Sequence, residues 1–307
     1  MRNDFAKQVL VEMDRDQSIY FLTADLGYNA LEAVEHAFPK RFINVGISEQ
    51  HMIGMATGLA LEGKKVIAYS IASFATMRPY EMIRDDVCYH NLDVKIIGVG
   101  GGYNYATHGV THHTIEDLAI MRVLPHMKVL APGYSWEARE ATKALMRDKG
   151  PAYIRLGKSP GTLYEKKDFK FKIGKGYVIK EGTDIVLIST GNVLDLAMST
   201  SSLLEKQGLH VGVISMPTIK PLDTGLITRL AKKANAVFTI EEHSAVGGLG
   251  SAVKEALWDA SIPVRFHAFG LPADIFNKAV GDRDHLLKKV GIDGPQIAKK
   301  IMRTIKK

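Results

Sequence analysis

Asn44-Val-Gly-Ile-Ser-Glu-Gln-His-Met-Ile-Gly-Met-Ala-Thr-Gly-Leu-Ala60 is the stretch on which the fold turns. Met52, Met55, Ala56, Leu59 and Ala60 recur at helical spacing, with Gly54 and Gly58 four apart, so the pattern predicts a buried, closely packed helix. Ser48 stands at the cap position, Glu49 falls in the first turn, where the helix dipole favours an acid, and Gly63 ends the helix. On either side lie short β-branched runs: Ile19-Tyr-Phe-Leu-Thr23, Lys65-Val-Ile-Ala-Tyr69, Val94-Lys-Ile-Ile-Gly-Val99, Lys128-Val-Leu130 and Ala152-Tyr-Ile-Arg155. Strands that alternate with amphipathic segments imply a parallel sheet, and the first domain reads as residues 1–157. The pattern breaks over 158–176, polar and charged without a sustained period, which reads as a linker. A second alternation fills 177–307, with strands at Asp184–Ile188, His210–Ile214, Ala236–Ile240 and Pro263–Phe266. The fold class is therefore α/β, with two α/β domains and mainly parallel sheets.

Composition narrows the function. The 307 residues are 46% hydrophobic and 24% charged, ordinary for a globular protein and unlike disordered, collagenous or coiled-coil chains. No apolar run is long enough to span a bilayer, and the charged amphipathic start has no secretory apolar core, so we expect a cytoplasmic protein without membrane contact. Of the formal net charge of +7, Lys299, Lys300, Arg303, Lys306 and Lys307 supply five charges with no acid among them. That tail reads as a solvated helix face; no basic groove with interleaved aromatics points to nucleic acid. Cys88 is the single cysteine, which excludes an intrachain disulfide and a Cys-built metal site, and it reads as a small buried hydrophobe. Gly98-Val-Gly-Gly-Gly-Tyr lacks the third glycine of the dinucleotide pattern, and the full Gly-x4-Gly-Lys-Ser/Thr pattern of a phosphate loop does not occur.

Three segments of the first half concentrate polar and aromatic groups at strand-to-helix junctions, where open parallel sheets place ligand sites. They are Gly46–Met52, Ser70–Tyr80 and His108–His113. Here the sequence resembles thiamine diphosphate enzymes of the transketolase and 1-deoxyxylulose-5-phosphate synthase type, specifically their pyrimidine-binding and C-terminal domains. Asn44-Val-Gly-Ile-Ser-Glu-Gln-His51 resembles the family's Gly-Ile-Ala-Glu-Gln-His, and Gly109-Val-Thr-His-His113 its Gly-Pro-Thr-His-Gln. Glu241-Glu-His-Ser-Ala-Val-Gly-Gly-Leu-Gly250 is similar to the signature of the family's third, usually architectural, domain. The family's other domain holds diphosphate and Mg²⁺ through Gly-Asp-Gly and a later Asn, and no Gly-Asp-Gly occurs here. The resemblance thus implies a split enzyme. A separate N-terminal transketolase subunit would hold the diphosphate and Mg²⁺, with thiamine diphosphate at the interface of an α2β2 heterotetramer.

Residue by residue, the resemblance gives Glu49 the hydrogen bond to N1′ of the aminopyrimidine, favouring the imino tautomer whose 4′-nitrogen removes the C2 proton. That task needs a carboxyl and a ring nitrogen of comparable proton affinity. Phe74, Met77 and Tyr80 fall at the family's pocket for the pyrimidine ring; a flat ring is held by offset stacking, and a polarizable Met also packs on one. His112 matches a histidine that contacts substrate hydroxyls and oxygen near C2, where a titrating imidazole suits proton transfer. His51, His108, His113, Arg155 and Lys158 are the further substrate candidates, the last two lying near the family's phosphate-binding Arg. His51 reads equally as a hydrogen-bonded core histidine. Gly100 stands where transketolases have a substrate-contacting His, His108 replaces an Asp and His113 a Gln, so substrate choice departs more than cofactor chemistry. Three histidines in six residues invite a metal, but without neighbouring carboxylates we expect none bound by this chain.

The activity implied is transfer of a two-carbon ketol unit from a ketose or ketose phosphate to an aldose. The alternatives are a deoxyxylulose-type synthase or the β-subunit of a 2-oxo-acid dehydrogenase, both using a 2-oxo acid donor, and a non-catalytic regulatory subunit. Ser48–His51 and Thr111–His113 favour the transketolase side, and Glu49 together with Phe74 and His112 argues for retained chemistry.

Overall fold

The computed structural model describes residues 1–157, 170–272 and 281–306. The first domain runs α1 (Arg2–Arg15), β1 (Ile19–Thr23), α2 (Glu32–Ala37), β2 (Phe42–Asn44), α3 (Glu49–Leu61), β3 (Lys65–Ile71), α4 (Ala72–Met77), α5 (Tyr80–Met82), β4 (Val94–Val99), α6 (Asp117–Val123), β5 (Lys128–Leu130), α7 (Ser135–Arg147) and β6 (Ala152–Leu156). The second continues with β7 (Tyr177–Lys180), β8 (Ile185–Ser189), α8 (Leu194–Glu205), β9 (Val211–Ser215), β10 (Thr218–Lys220), α9 (Thr224–Ala231), β11 (Ala236–Ser244), α10 (Leu249–Asp259), β12 (Arg265–Leu271), α11 (Arg283–Lys289) and α12 (Gly294–Ile305).

Seven strands form the first sheet in the order β10-β5-β6-β4-β3-β1-β2, and five form the second in the order β12-β11-β8-β9-β7. All pairs are parallel except two at the edges, β10 with β5 and β7 with β9. Both faces of the first sheet are covered, which is why its strands read as continuous apolar runs. Val66 and Ala68 of β3 pack with Met52, Ile53 and Ala56 of α3, while Ile67 and Tyr69 pack on the other side with Phe5, Val9 and Met13 of α1. Burying each such large side chain contributes about 1.5–3 kcal/mol before entropy is counted.

Two details of the helix reading change. Gly54 is close-packed, with Met82 Cε 3.2 Å from where its Cβ would stand, but Gly58 faces open space. Ser48 makes no side-chain cap bond. Gly63 ends α3 with φ +76°, which an L side chain rarely adopts. Cys88 is buried, and desolvation pushes its thiol up to about 12, in keeping with a packed, inert side chain. The basic tail forms α12, which buries Ile297, Ala298 and Ile301 and exposes Lys299, Lys300 and Arg303.

The domains share structure as well as a boundary. β10, from the second half of the chain, adds an antiparallel edge to the first sheet, Thr218 opposite Leu130. Tyr103 and Trp136 of the first domain sit in one apolar cluster with Leu187, Val213 and Phe238 of the second. A half-buried ion pair, Arg283 Nη2 to Glu242 Oε2 at 2.6 Å, is tied to the first domain because Glu242 Oε1 also accepts from the Tyr103 amide at 2.7 Å.

Candidate active site

The three segments singled out in the sequence stand at the carboxyl ends of parallel strands. Glu49 opens α3 after β2, Phe74 lies in α4 directly after β3, and the histidine loop follows β4. That loop is closed at its base by Gly102 and Thr114, whose amides and carbonyls exchange hydrogen bonds of 2.7 and 3.0 Å. Ser73 of α4 donates to the Thr111 carbonyl at 3.1 Å, drawing the loop tip onto the helix that carries Phe74.

Glu49 is 3% exposed, an acid in the wall of the core. Its Oε1 accepts from Ser70 Oγ at 3.1 Å and its Oε2 from Arg78 Nη1 at 2.6 Å. Phe74 lies beside it with its ring half-buried, the Arg78 guanidinium 3.9 Å above the ring centroid and the His112 ring edge-on at 5.1 Å. His108 and Tyr105 complete the cluster, with ring centroids 5.0 and 6.1 Å from that of His112. Thr111 Oγ1 lies 3.0 Å from His112 Nδ1. Burial first, then His108, His113 and Arg78, hold the His112 imidazole below its ordinary value, so it is neutral at neutral pH.

Other candidates fall differently. Met77 is 40% exposed at the rim, and His51 is exposed on α3. Tyr80 leaves part of its ring outside but donates its hydroxyl to the Ile120 carbonyl at 2.8 Å. His113 is 4% exposed, donates from Nε2 to the Ala106 carbonyl and packs edge-on against Tyr103, in the manner of a core histidine. Arg155 is likewise buried: it is 5% exposed, donates to the carbonyls of Thr114 and Glu242 at 2.8 and 2.7 Å and lies 3.4 Å from Asp117, so it braces the two domains. Lys158 and the linker up to residue 169 lie outside the described residues.

Sequence reading missed Ser70 and Arg78. A signal for the second existed: Arg78 stands four residues after Phe74, on the same helical face.

A buried acid beside an aromatic face suits the pyrimidine end of thiamine diphosphate. The stacked guanidinium already displays the fit, since a flat group with N–H donors lies on Phe74 and donates to Glu49. Among the described residues, no group of three or more His, Cys, Asp or Glu side chains could hold a metal. Nor is any helix among them long and apolar enough to cross a membrane.

Fold and site together define the pyrimidine-binding half of a thiamine diphosphate enzyme, followed by a C-terminal α/β domain. The profile described as "Transketolase, pyrimidine binding domain" matches residues 1–162, and "Transketolase, C-terminal domain" matches 174–297. The chain belongs to the transketolase family, which is thiamine diphosphate-dependent. It is 36% identical, over 100% of its length and 96% of the relative's, to a Methanocaldococcus jannaschii chain named as a transketolase C-terminal section. It is 33% identical, over 100% of its length and 97% of the relative's, to an apulose-4-phosphate transketolase subunit of Phocaeicola vulgatus. Among solved structures, a split-gene transketolase described as an inactive β4 tetramer superposes with a TM-score of 0.88 at 34% identity, covering 99% of this chain and 97% of that one.

Proposed function

We propose that this chain is the C-terminal subunit of a split transketolase that moves a two-carbon ketol unit from a ketose or ketose phosphate to an aldose. The observation that carries the reading is Glu49, buried and joined through the Arg78 guanidinium to the face of Phe74, the ring that His112 meets edge-on. The partner would be the N-terminal subunit that carries the diphosphate and Mg²⁺ site, in an α2β2 assembly. Relatives matched nearly end to end support this, because one is named as a transketolase subunit and another comes from a split gene.

When bound, thiamine diphosphate supplies the electron sink for carbon–carbon cleavage. The protein's residues position and move protons. Glu49 would hold N1′ of the aminopyrimidine, and Ser70 Oγ fixes which carboxylate oxygen is free to do so. Phe74 would carry the ring face, with Met77 and Tyr80 at its edge. His112, neutral at working pH, would take and return the proton of a substrate hydroxyl, with its ring held by Phe74 and His108. His108 and His51, both exposed, would meet the sugar.

Affinity purification of the tagged chain from its native cells tests the assembly. We expect a stoichiometric partner bearing Gly-Asp-Gly, with thiamine diphosphate retained in the complex. Recovery of the chain alone and without cofactor would overturn the split-enzyme reading.

A further inference from the structure

Arg78 has no part in the chemistry above, yet it makes the closest contact with the proposed cofactor acid. Its side chain is 45% exposed, while that of Glu49 is 2% exposed. From α4's end it reaches back over the Phe74 ring, Cζ 3.9 Å from the centroid, and puts Nη1 2.6 Å from Glu49 Oε2. Among the described residues the guanidinium has no other hydrogen-bond or ion-pair partner.

These are the two contacts an aminopyrimidine would need from the same side chains: one π-face laid on Phe74 and one hydrogen bond between ring N1′ and the Glu49 carboxyl, with a proton shared between them. Ser70 occupies Oε1, so the oxygen left for a ligand is Oε2, the one Arg78 holds. Guanidinium and pyrimidine are both flat and delocalised and each would make its hydrogen bond at the same carboxyl oxygen, and one ring face with one such oxygen cannot seat both. We propose that Arg78 is a positioning residue whose guanidinium occupies the aminopyrimidine seat in the cofactor-free chain, keeping the buried acid paired, and leaves that seat when the cofactor enters. This rests on Glu49 being the pyrimidine acid.

Physical asymmetry makes the exchange workable. The buried carboxylate is the member that cannot be left alone, because an uncompensated charge in the protein wall is strongly destabilising. Arg78 can be left alone, since its charged end has water within reach. Replacing guanidinium by pyrimidine, with uptake from water of the one proton that Glu49 and N1′ then share, keeps Glu49 bonded throughout. The consequence is a toll on loading: the apparent affinity for cofactor is reduced by the fraction of chains in which the seat is free.

The test is calorimetric titration of thiamine diphosphate with Mg²⁺ into the assembled two-subunit enzyme, comparing wild type with Arg78→Ala, Arg78→Met and Glu49→Gln. Arg78→Met keeps an apolar stem on Phe74, so it guards against a variant that merely packs badly. Both Arg78 variants are expected to bind cofactor about tenfold more tightly, as removal of a competing occupant requires. In the free chain, the Arg78 Nε–H resonance should show an upfield ring shift that Phe74→Leu abolishes and cofactor loading removes. Unchanged or weaker binding in both Arg78 variants, or a ring shift that survives loading, overturns the proposal. If Glu49→Gln weakens binding while the Arg78 variants do not strengthen it, the seat-holding role alone falls. If wild type binds no cofactor and Glu49→Gln changes nothing, the pyrimidine reading of Glu49 falls and this role with it.

Discussion

Glu49 and Arg155 show how differently two charged residues can be used by one fold. Both are nearly fully buried, but only Glu49 borders an open aromatic face. Its partners are a hydroxyl from β3 and a guanidinium with water within reach, groups that can exchange for a ligand. Arg155 instead spends its N–H groups on main-chain carbonyls from both domains, and replacing those bonds would open the interior. His112 and His113 divide in the same way. The first faces Phe74 and His108 with one ring nitrogen beside Thr111, whereas the second is sealed against Tyr103. Adjacent residues in a turn point in opposite directions, and that alternation separates the residue proposed to carry a proton from a core strut.

At the scale of the element, the run Gly98-Val-Gly-Gly-Gly102 does a steric job. Gly100 and Gly102 adopt φ of +81° and +66°, and Gly101 lies directly against the Arg155 guanidinium, where a side chain would collide. A Cβ on Gly102 would stand 2.5 Å from Glu242 Cγ, itself locked to Arg283. Gly102→Ala is therefore expected to destabilise the protein by about 1–3 kcal/mol, through backbone strain and overpacking. A urea denaturation series measures that loss, and faster exchange of the Thr114 amide, which bonds to the Gly102 carbonyl, should accompany it. Unchanged stability would show that the loop base is not held by this contact.

The same element shows what local sequence can carry. The central strands of the first sheet were legible because they are β-branched runs buried on both faces, and α3 because its apolar residues share one face. β2, β7 and β10 were not: all three are short strands at sheet edges, and β10 gains its place by pairing with a strand some ninety positions away, Thr218 with Leu130. In the site, Glu49, Phe74 and His112 could be read from residue type and order. The burial of His113 and Arg155 and the seat taken by Arg78 depend on side-chain direction, which spacing leaves open.

For the whole molecule, the seam between domains concentrates buried charge, and acid should find it. His243 is fully buried, and desolvation pushes its imidazole down to about 4. Unfolding returns it to its ordinary value of 6.5, so the unfolded chain binds the extra proton and His243's share of stability is lost as pH falls from about 6.5 toward 4. Neighbouring Glu241, pushed up to about 7 by burial, has the opposite sign and loses stability as pH rises from 4.5 through 7. Comparison with His243→Gln isolates the histidine. The stability advantage of wild type over this variant should shrink by about 2 kcal/mol between pH 7.5 and 5, a conversion at 1.36 kcal/mol per pH unit below 6.5. Parallel pH profiles for the two proteins in urea denaturation would show that His243 takes no proton on unfolding.

The central claim concerns one carboxyl group in the assembled enzyme. The most direct measurement is steady-state ketol transfer from a ketose phosphate by the two-subunit complex carrying Glu49→Gln, with assembly checked by size-exclusion chromatography. Glutamine keeps the shape and can still accept from Ser70, but it cannot exchange a proton with N1′. A fall in kcat on the order of 10²–10⁴, with assembly intact, is the predicted result. Wild-type turnover in the assembled Glu49→Gln complex would contradict the account.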